Sequence, residues 1–510
     1  MESLGYLADG LQAVLAPEML LYALIGCLMG MIVGVLPGFG PAAATALMFP
    51  VTFSLGPVPA LIMMAAVLYG SMYGGSITAI LLKVPGEAAS VATTLDGHAM
   101  AKAGRAGPAM IIAAVAGFVG CMVGVAGFVV AAPLSRLAVT FGPVEMFALT
   151  VFALLIAAGL VGSSLVKGLV AVTIGLLLAT IGRDPISGVV RFTGGADGLI
   201  DGLDLIPVIM GLFGLTELFS SIERRYTERK AVTVGRISPT RQDFTDSAGP
   251  VGRGSIIGFF VGLLPGSPGA TAAFASYTLE RRLAKHPEKF GTGMVQGVAG
   301  PESSNNALAI STMIPLFTLG IPSSATMAIM FGVFTTNGLI PGPKLFSDNP
   351  DIAWTIIASL IVGNLILLLL NVPLVRFWVL VLKTPYPVLY AIVVAFLLIG
   401  AYSLRNSAFD IVVLLASGLF GYLLTKIDVP VSPIALTLVL GGLMETSLRQ
   451  SLALSQGDPS IFLSSTTAVV LYVATVVILA SVAWSRRRGI PVQPTAEDIE
   501  SSRDTTPTKG

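Results

Sequence analysis

Charge is scarce in this chain: Asp, Glu, Lys and Arg make up 11% of its 510 residues, against about 25% in a soluble domain. That excludes an ordinary soluble fold. Histidine occurs only as His98 and His286, and cysteine only as Cys27 and Cys121. No His-Glu-x-x-His pair and no Cys/His cluster exists, so no metal centre is expected. Both cysteines sit inside apolar runs and read as small apolar side chains rather than a disulfide. The Gly-x-x-x-x-Gly-Lys-Ser/Thr phosphate loop is missing, which excludes a P-loop ATPase. Paired membrane aspartates and a Ser/His pair are missing too, so an intramembrane enzyme ranks last among the readings. The short alternating segments of a β-barrel are absent. The N-terminus lacks a basic region, and no cleavable signal peptide is expected.

What the chain has is apolar length. Hydrophobic residues make up 54% and the mean hydropathy is +0.87. Runs of about 20 apolar residues follow one another, each able to span a bilayer as a helix. The fold class is therefore an all-α polytopic membrane protein. Its basic residues set the orientation. None precedes Lys83, whereas residues 221–253 carry Arg224, Arg225, Arg229, Lys230, Arg236, Arg241 and Arg253, and the last apolar run ends at Arg486-Arg487-Arg488. The central segment and the C-terminus belong in the cytoplasm, and the N-terminus outside. Runs near 60–82, 108–132, 144–161, 165–182 and 203–220 give five crossings, from outside to inside. Runs near 305–321, 352–371, 386–402, 408–425, 431–447 and 464–484 give six more and end inside. About eleven transmembrane helices are expected.

One apolar stretch, 257–269, is cut by Pro265, Gly266, Pro268 and Gly269. Its phrase Gly262-Leu263-Leu264-Pro265-Gly266 repeats Gly34-Val35-Leu36-Pro37-Gly38 at an offset of 228 (262 − 34). Basic flanks on both sides make the later stretch a re-entrant hairpin from the cytoplasm, with arms at about 255–264 and 270–279. The earlier one, with arms at about 20–36 and 42–53, enters from outside. Five crossings separate them, so the halves form two inverted repeats. A second pair of breaks, at Lys83-Val84-Pro85-Gly86-Glu87 and Gly320-Ile321-Pro322-Ser323-Ser324, has an offset of 237 (322 − 85). The expected organisation is a first repeat over 1–220, broken at 37–41 and near 85–87, then a basic cytoplasmic loop over 221–253. A second repeat with a final helix follows over 254–485, broken at 265–269 and 321–324, and 486–510 form a disordered cytoplasmic tail.

Broken backbone at membrane depth survives only where protein or a water-filled cavity covers it. Half-helices ending there aim N–H groups and positive dipole ends at anions, while free carbonyls hold small cations. Breaks at corresponding positions of two halves point to the binding site of a secondary transporter. The substrate-binding candidates are Gly38, Gly40 and Thr45 at the first tip and Gly266, Ser267 and Thr271 at the second. Asn305 and Asn306 in the run Pro301-Glu302-Ser303-Ser304-Asn305-Asn306, Ser76 in its loose counterpart, and Ser323 and Ser324 in the last break complete the set. Gly86, Glu87, Glu302 and Ser304 are the candidates for a coupling ion. A single motif of this kind is more often a packing kink; its duplication in both halves reverses that weighting. Lys83, Glu217 and Glu445 read as interfacial, and Asp96, Lys102 and Arg105 as a solvated loop.

Over about residues 10–485 the chain resembles the large membrane subunit of the tripartite tricarboxylate transporters, the TctA-type family. The residues that carry the resemblance are Gly34-Val35-Leu36-Pro37-Gly38-Phe39-Gly40-Pro41, Tyr73-Gly74-Gly75-Ser76, Val84-Pro85-Gly86-Glu87, Pro301-Glu302-Ser303-Ser304-Asn305-Asn306-Ala307 and Leu319-Gly320-Ile321-Pro322. The resemblance implies a permease of the bacterial inner membrane that imports tricarboxylates or related carboxylates, citrate among them. A periplasmic solute-binding protein would deliver the substrate, and a small membrane subunit would be the second partner. Na+ or H+ would be the coupling ion, with no other cofactor and no nucleic acid. Pro322-Ser323 departs from the Pro-Gly more typical there. The competing reading is an ion or anion channel, which favours a continuous polar pore and needs no binding protein.

Overall fold

Proline and glycine punctuate the chain, and several helices begin or end at them, among them Pro17–Gly34, Pro57–Leu82, Arg241–Gly262 and Gly269–Leu283. The computed structural model describes residues 2–36, 38–162, 164–224, 238–371 and 386–487. The first half holds α1 (Glu2–Val14), α2 (Pro17–Gly34), α3 (Pro41–Met48), α4 (Pro57–Leu82), α5 (Ser90–Met100), α6 (Ala106–Ala138), α7 (Pro143–Leu160) and α8 (Leu165–Ala179). A small antiparallel hairpin, β1 (Gly182–Arg183) with β2 (Val190–Arg191), precedes α9 (Leu205–Ile209) and α10 (Thr216–Arg224), which one π-helical turn joins. The second half holds α11 (Arg241–Gly262), α12 (Gly269–Leu283), α13 (Gln296–Ser311), α14 (Met313–Leu319), α15 (Ala325–Thr336), α16 (Leu345–Asp348), α17 (Pro350–Asn371), α18 (Tyr386–Arg405), α19 (Ala408–Lys426), α20 (Ser432–Leu454) and α21 (Thr466–Arg487). Proline stands in the first turn of α2, α3, α4 and α7, where its missing N–H costs nothing.

Glycine seams hold the core. Gly26, Gly30 and Gly34 of α2 press on the backbone of α4 at Met63, Val67 and Ser71. Gly254, Gly258 and Gly262 of α11 press in the same way on α13 at Gly300, Ser304 and Leu308. A Cβ at any of the six would collide with the facing chain. The seams correspond at an offset of 228 for the glycines (254 − 26) and 237 for their partners (300 − 63). The two halves therefore repeat one arrangement. Lipid supplies no hydrophobic drive between helices, so close backbone approach and dispersion hold such pairs together.

Among the described residues eight helices are long and apolar enough to cross a membrane, over 17–34, 57–82, 90–133, 143–160, 205–223, 350–371, 408–426 and 466–486. Seven answer expected runs. The eighth, α2, was expected as one arm of a re-entrant hairpin, yet its 18 residues rise about 27 Å. Its counterpart α11 has 22 residues from Arg241, about 33 Å, so the arm at 255–264 is only its last part. The segment 221–253 is accordingly not one loop. α10 ends at Arg224 and α11 starts at Arg241, and 225–237 lie outside the described residues. The early start has a local cause: Thr240 and Asp243 form a capping box that satisfies the first N–H groups. Protein partners also absorb the charges of α11. Asp243 pairs with Arg105, and Arg253 grips Glu280 of α12 at 2.8 and 2.6 Å.

The remaining expected runs take other forms. The run 305–321 is divided between α13 and α14, and 165–182 contains the 15-residue α8. The run 386–402 falls in α18, whose apolar part, Tyr390–Arg405, is short. The run 431–447 belongs to α20, which has 23 residues and carries Glu445 and Arg449. The last helix reaches Arg487. Arg486, expected in the tail, donates to the carbonyl oxygens of Gly159 and Gly162 at 2.9 and 3.0 Å and so closes the C-terminus of α7. Residues 488–510 lie outside the described residues.

Candidate substrate cavity

Each half contains two breaks of matching geometry. The first tips turn at glycine: Gly38 has φ +87° and Gly266 φ +74°, the left-handed region that side chains disfavour. A Cβ on Gly38 would strike the Glu217 carboxylate, and one on Gly266 the backbone of Ala157. Pro37 lies outside the described residues. The second breaks end α4 at Lys83 (φ +56°) and α14 at Gly320 (φ +73°), each two residues ahead of a proline that stops the helix. Backbone ties the two breaks of the second half together: the Gly266 N–H donates to the Ser323 carbonyl at 2.7 Å.

All four breaks meet at one cavity of about 480 Å³, inside the range of about 300–1,000 Å³ for small-molecule sites. Gly38, Gly40, Glu87, Ala88, Gly266, Ser267, Pro268, Gly269, Ser324 and Ala325 line it, with Leu68, Met72, Phe213, Glu217, Asn305, Thr312, Thr326 and Ser432 among the walls. The N-termini of α3, α12 and α15 open into it. α3 and α12 carry no side-chain cap, whereas Ser324 caps α15 by accepting from the Met327 N–H at 3.2 Å. First-turn N–H groups and positive dipole ends therefore converge on one space. Glu87 and Glu217 line it, and no Lys, Arg or His does among the described residues.

A buried polar layer backs the cavity. Asn305 Nδ2 donates to Glu87 Oε1 at 2.6 Å. One turn earlier on α13, Glu302 accepts from Ser76 Oγ at 2.8 Å and from Thr93 Oγ1 at 2.6 Å. Asn306 Nδ2 bonds back to the Glu302 carbonyl at 2.9 Å. Among the described residues no basic side chain pairs with Glu87 or Glu302. The Ser267 hydroxyl on the wall and the Ser304 hydroxyl behind it are buried, with no hydrogen-bond partner among the described residues.

The structure thus brings Gly38, Gly40, Glu87, Gly266, Ser267, Asn305 and Ser324 to the wall. Other candidates stand away from it. The Thr45 hydroxyl bonds to the Pro41 carbonyl of its own helix at 2.7 Å, and Ser323 Oγ to the Thr312 carbonyl at 2.7 Å. Gly86 packs on Gly75. Ser76, Glu302, Ser304 and Asn306 form the layer behind, and Thr271 is not among the lining residues. Glu217, read as interfacial, is on the wall; a lone carboxylate in an apolar helix was the signal for it. Asp96, read as solvated, is buried. It accepts backbone N–H groups of Gly291, Gly293 and Met294 at 2.8, 2.8 and 2.7 Å and the Tyr277 hydroxyl at 2.8 Å. Lys83, read as interfacial, and Lys102, read as part of a solvated loop, are both exposed, whereas Arg105 of the same loop is half-buried and pairs with Asp243.

The model of the tripartite tricarboxylate transporter TctA family matches residues 20–436. The chain belongs to this family. A TctA protein is the permease of a tripartite transporter, so this is a multi-pass membrane transporter subunit that works with other subunits, and family membership points away from an enzyme. Two proteins of Agrobacterium vitis are similar to it. One, described as an uncharacterized 52.8 kDa protein in the TAR-I ttuC' 3' region, is 41% identical over 473 residues, 92% of this chain and 94% of the relative. The other, an uncharacterized protein in the TAR-II ttuC' 3' region, is 44% identical over 214 residues, 42% of this chain and 88% of the relative. No solved structure matches.

Proposed function

We propose that this TctA permease imports a di- or tricarboxylate together with Na+ or H+, taking the substrate from a periplasmic solute-binding protein beside a small membrane subunit. The observation that carries this reading is the charge pattern of the cavity. Three helix N-termini face it, Glu87 and Glu217 line it, and no basic side chain does among the described residues. Helix N-termini hold carboxylate oxygens through backbone N–H groups. An anion about 5 Å from one of the carboxylates meets a repulsion of about 3 kcal/mol at an effective dielectric of about 20. A proton or a metal cation entering with the substrate cancels that cost, and import then depends on the ion. Glu87 with Asn305, and Glu302 with Ser76 and Thr93, are the places for it. The repeated halves, inverted in the bacterial inner membrane with the N-terminus outside and the C-terminus cytoplasmic, would rock about the cavity to alternate access.

The test is uptake of radiolabelled citrate and a panel of smaller carboxylates into proteoliposomes holding the chain, its small subunit and the binding protein. Inward Na+ gradients, inward proton gradients and no gradient are compared. Accumulation above equilibrium under one gradient is the expected result. Equilibration that ignores every gradient would replace import with a channel.

A further inference from the structure

A second cavity, of about 540 Å³, adjoins the first. Phe213, Glu217 and Val431 belong to the walls of both and form the partition between them. Beyond the partition lie Ser220, Glu223 and Lys426. The Lys426 side chain is 44% exposed and Glu223 51%, so this end opens outward, where α10 hands over to the segment 225–237. Lys426 pairs with Glu223 and lies 5.1 Å above the Tyr422 ring. Among the described lining residues of the two cavities it is the basic one.

We propose that the second cavity is the release vestibule of the transport path. The substrate carboxylate passes Glu217, and Lys426 receives it by exchanging Glu223 for it. The proposal rests on the carboxylate-transport reading above. The order of charges gives the path a direction. Glu217 at the partition repels a bare anion, so the carboxylate crosses with its cation or proton beside it. Past the partition Lys426 attracts it, and an exposed ion pair such as Lys426 with Glu223 is weak enough to exchange partners readily. The open end then returns the anion to water.

The experiment uses the full chain in proteoliposomes with its partner subunits, carrying Ser220→Cys in a Cys27→Ala, Cys121→Ala background. Anionic and cationic membrane-impermeant methanethiosulfonates are added from one side at a time, and Arg229→Cys marks the side that carries the basic segment. Ser220→Cys is expected to react from that side alone. Because Lys426 shares the cavity with Glu217 and Glu223, the readout is the ratio of the anionic to the cationic rate, each normalised to a free thiol. Lys426→Gln should lower that ratio by about tenfold, the low end of electrostatic steering in a charged cleft, and a bulky impermeant maleimide on Ser220→Cys should stop gradient-driven citrate uptake. Three results would overturn the vestibule: reaction from neither side or from both, a normalised rate ratio that Lys426→Gln leaves unchanged, or full maleimide modification with uptake unchanged. If the unmodified protein takes up no carboxylate, the import reading fails by itself, and the reagent rates still decide whether the cavity is open and charge-selective.

Discussion

Asn305 and Glu87 lie 218 residues apart in the chain, and the Asn305 amide donates to the Glu87 carboxylate at 2.6 Å on the wall of the central cavity. This bond joins the second half of the molecule to the first at the place where all four helix breaks meet. Asn305→Ala leaves a buried carboxylate short of a donor, a cost of about 1–3 kcal/mol. At about 2 kcal/mol the expected loss of uptake is roughly thirtyfold, with membrane insertion intact. Initial rates of carboxylate uptake at matched protein incorporation check it; an unchanged rate would remove this pair from the transport site.

Two glycines of the second tip separate folding from function. At Gly266 the left-handed φ and the facing Ala157 backbone reject any side chain, so Gly266→Ala is expected to lower the yield of monodisperse protein. At Gly269 an added methyl meets only Asn305 Oδ1 at 3.0 Å and Ala89 Cβ at 3.2 Å. Gly269→Ala should fold and weaken uptake. Size-exclusion profiles beside uptake assays of both variants would show the split, and equal behaviour of the two would contradict it.

The glycine seams make a stability prediction with a built-in control. A Cβ on Gly258 runs into the Ser304 backbone, whereas one on Gly252 of the same helix meets nothing within 4 Å. Gly258→Ala is expected to destabilise by about 1–3 kcal/mol through overpacking. Gly252→Ala should be neutral or stabilise by up to about 1 kcal/mol, the helix-propensity gain. Thermal unfolding in detergent reads both.

Asp96 holds the loop between α12 and α13 by three hydrogen bonds from backbone N–H groups and is itself anchored to α12 by a fourth, from the Tyr277 hydroxyl. Each buried bond left unmade costs about 1–3 kcal/mol, so Asp96→Ala is expected to free the loop, and Asp96→Asn, which keeps one acceptor oxygen, to have a smaller effect. Trypsin cleavage at the exposed Lys289 is the readout. A cleavage rate equal to that of the unaltered chain would mean that something other than Asp96 fixes the loop.

Asp184 gives the pH dependence. The backbone N–H groups of Ser187 and Ile186, and then Arg449, hold its carboxyl well below the usual carboxylate range. A depressed folded value means that the ionised form is the stabilised one. Its contribution is complete above the unfolded carboxyl value of about 3.9 and is lost as the pH falls through the folded value. Hydrogen exchange of the 184–190 turn, corrected for intrinsic rates, is therefore expected to stay flat between about pH 5 and about pH 8. Asp184→Asn should raise it throughout. A change in the unaltered chain within that window would contradict the assignment.

Part of this molecule was legible in one dimension. Scarce charge and long apolar runs establish a polytopic helical membrane protein, because lipid accepts little else. Pro265-Gly266 and Gly320-Ile321-Pro322 mark breaks, because proline removes a backbone donor and glycine permits the left-handed turn that ends a helix. The offsets of 228 and 237 were legible too, and the structure repeats them in glycine seams whose four-residue spacing, Gly254, Gly258 and Gly262, was already in the sequence. Tertiary structure alone decided which of these residues share a wall. Ser323 and Ser324 are neighbours in the chain, yet one bonds into the core and the other faces the cavity. Glu217 and Asp96 are isolated charges in sequence, and only the path of the chain decides that one meets a cavity and the other a ring of backbone N–H groups. A charged side chain's role is fixed by what surrounds it, and its surroundings come from segments hundreds of residues away.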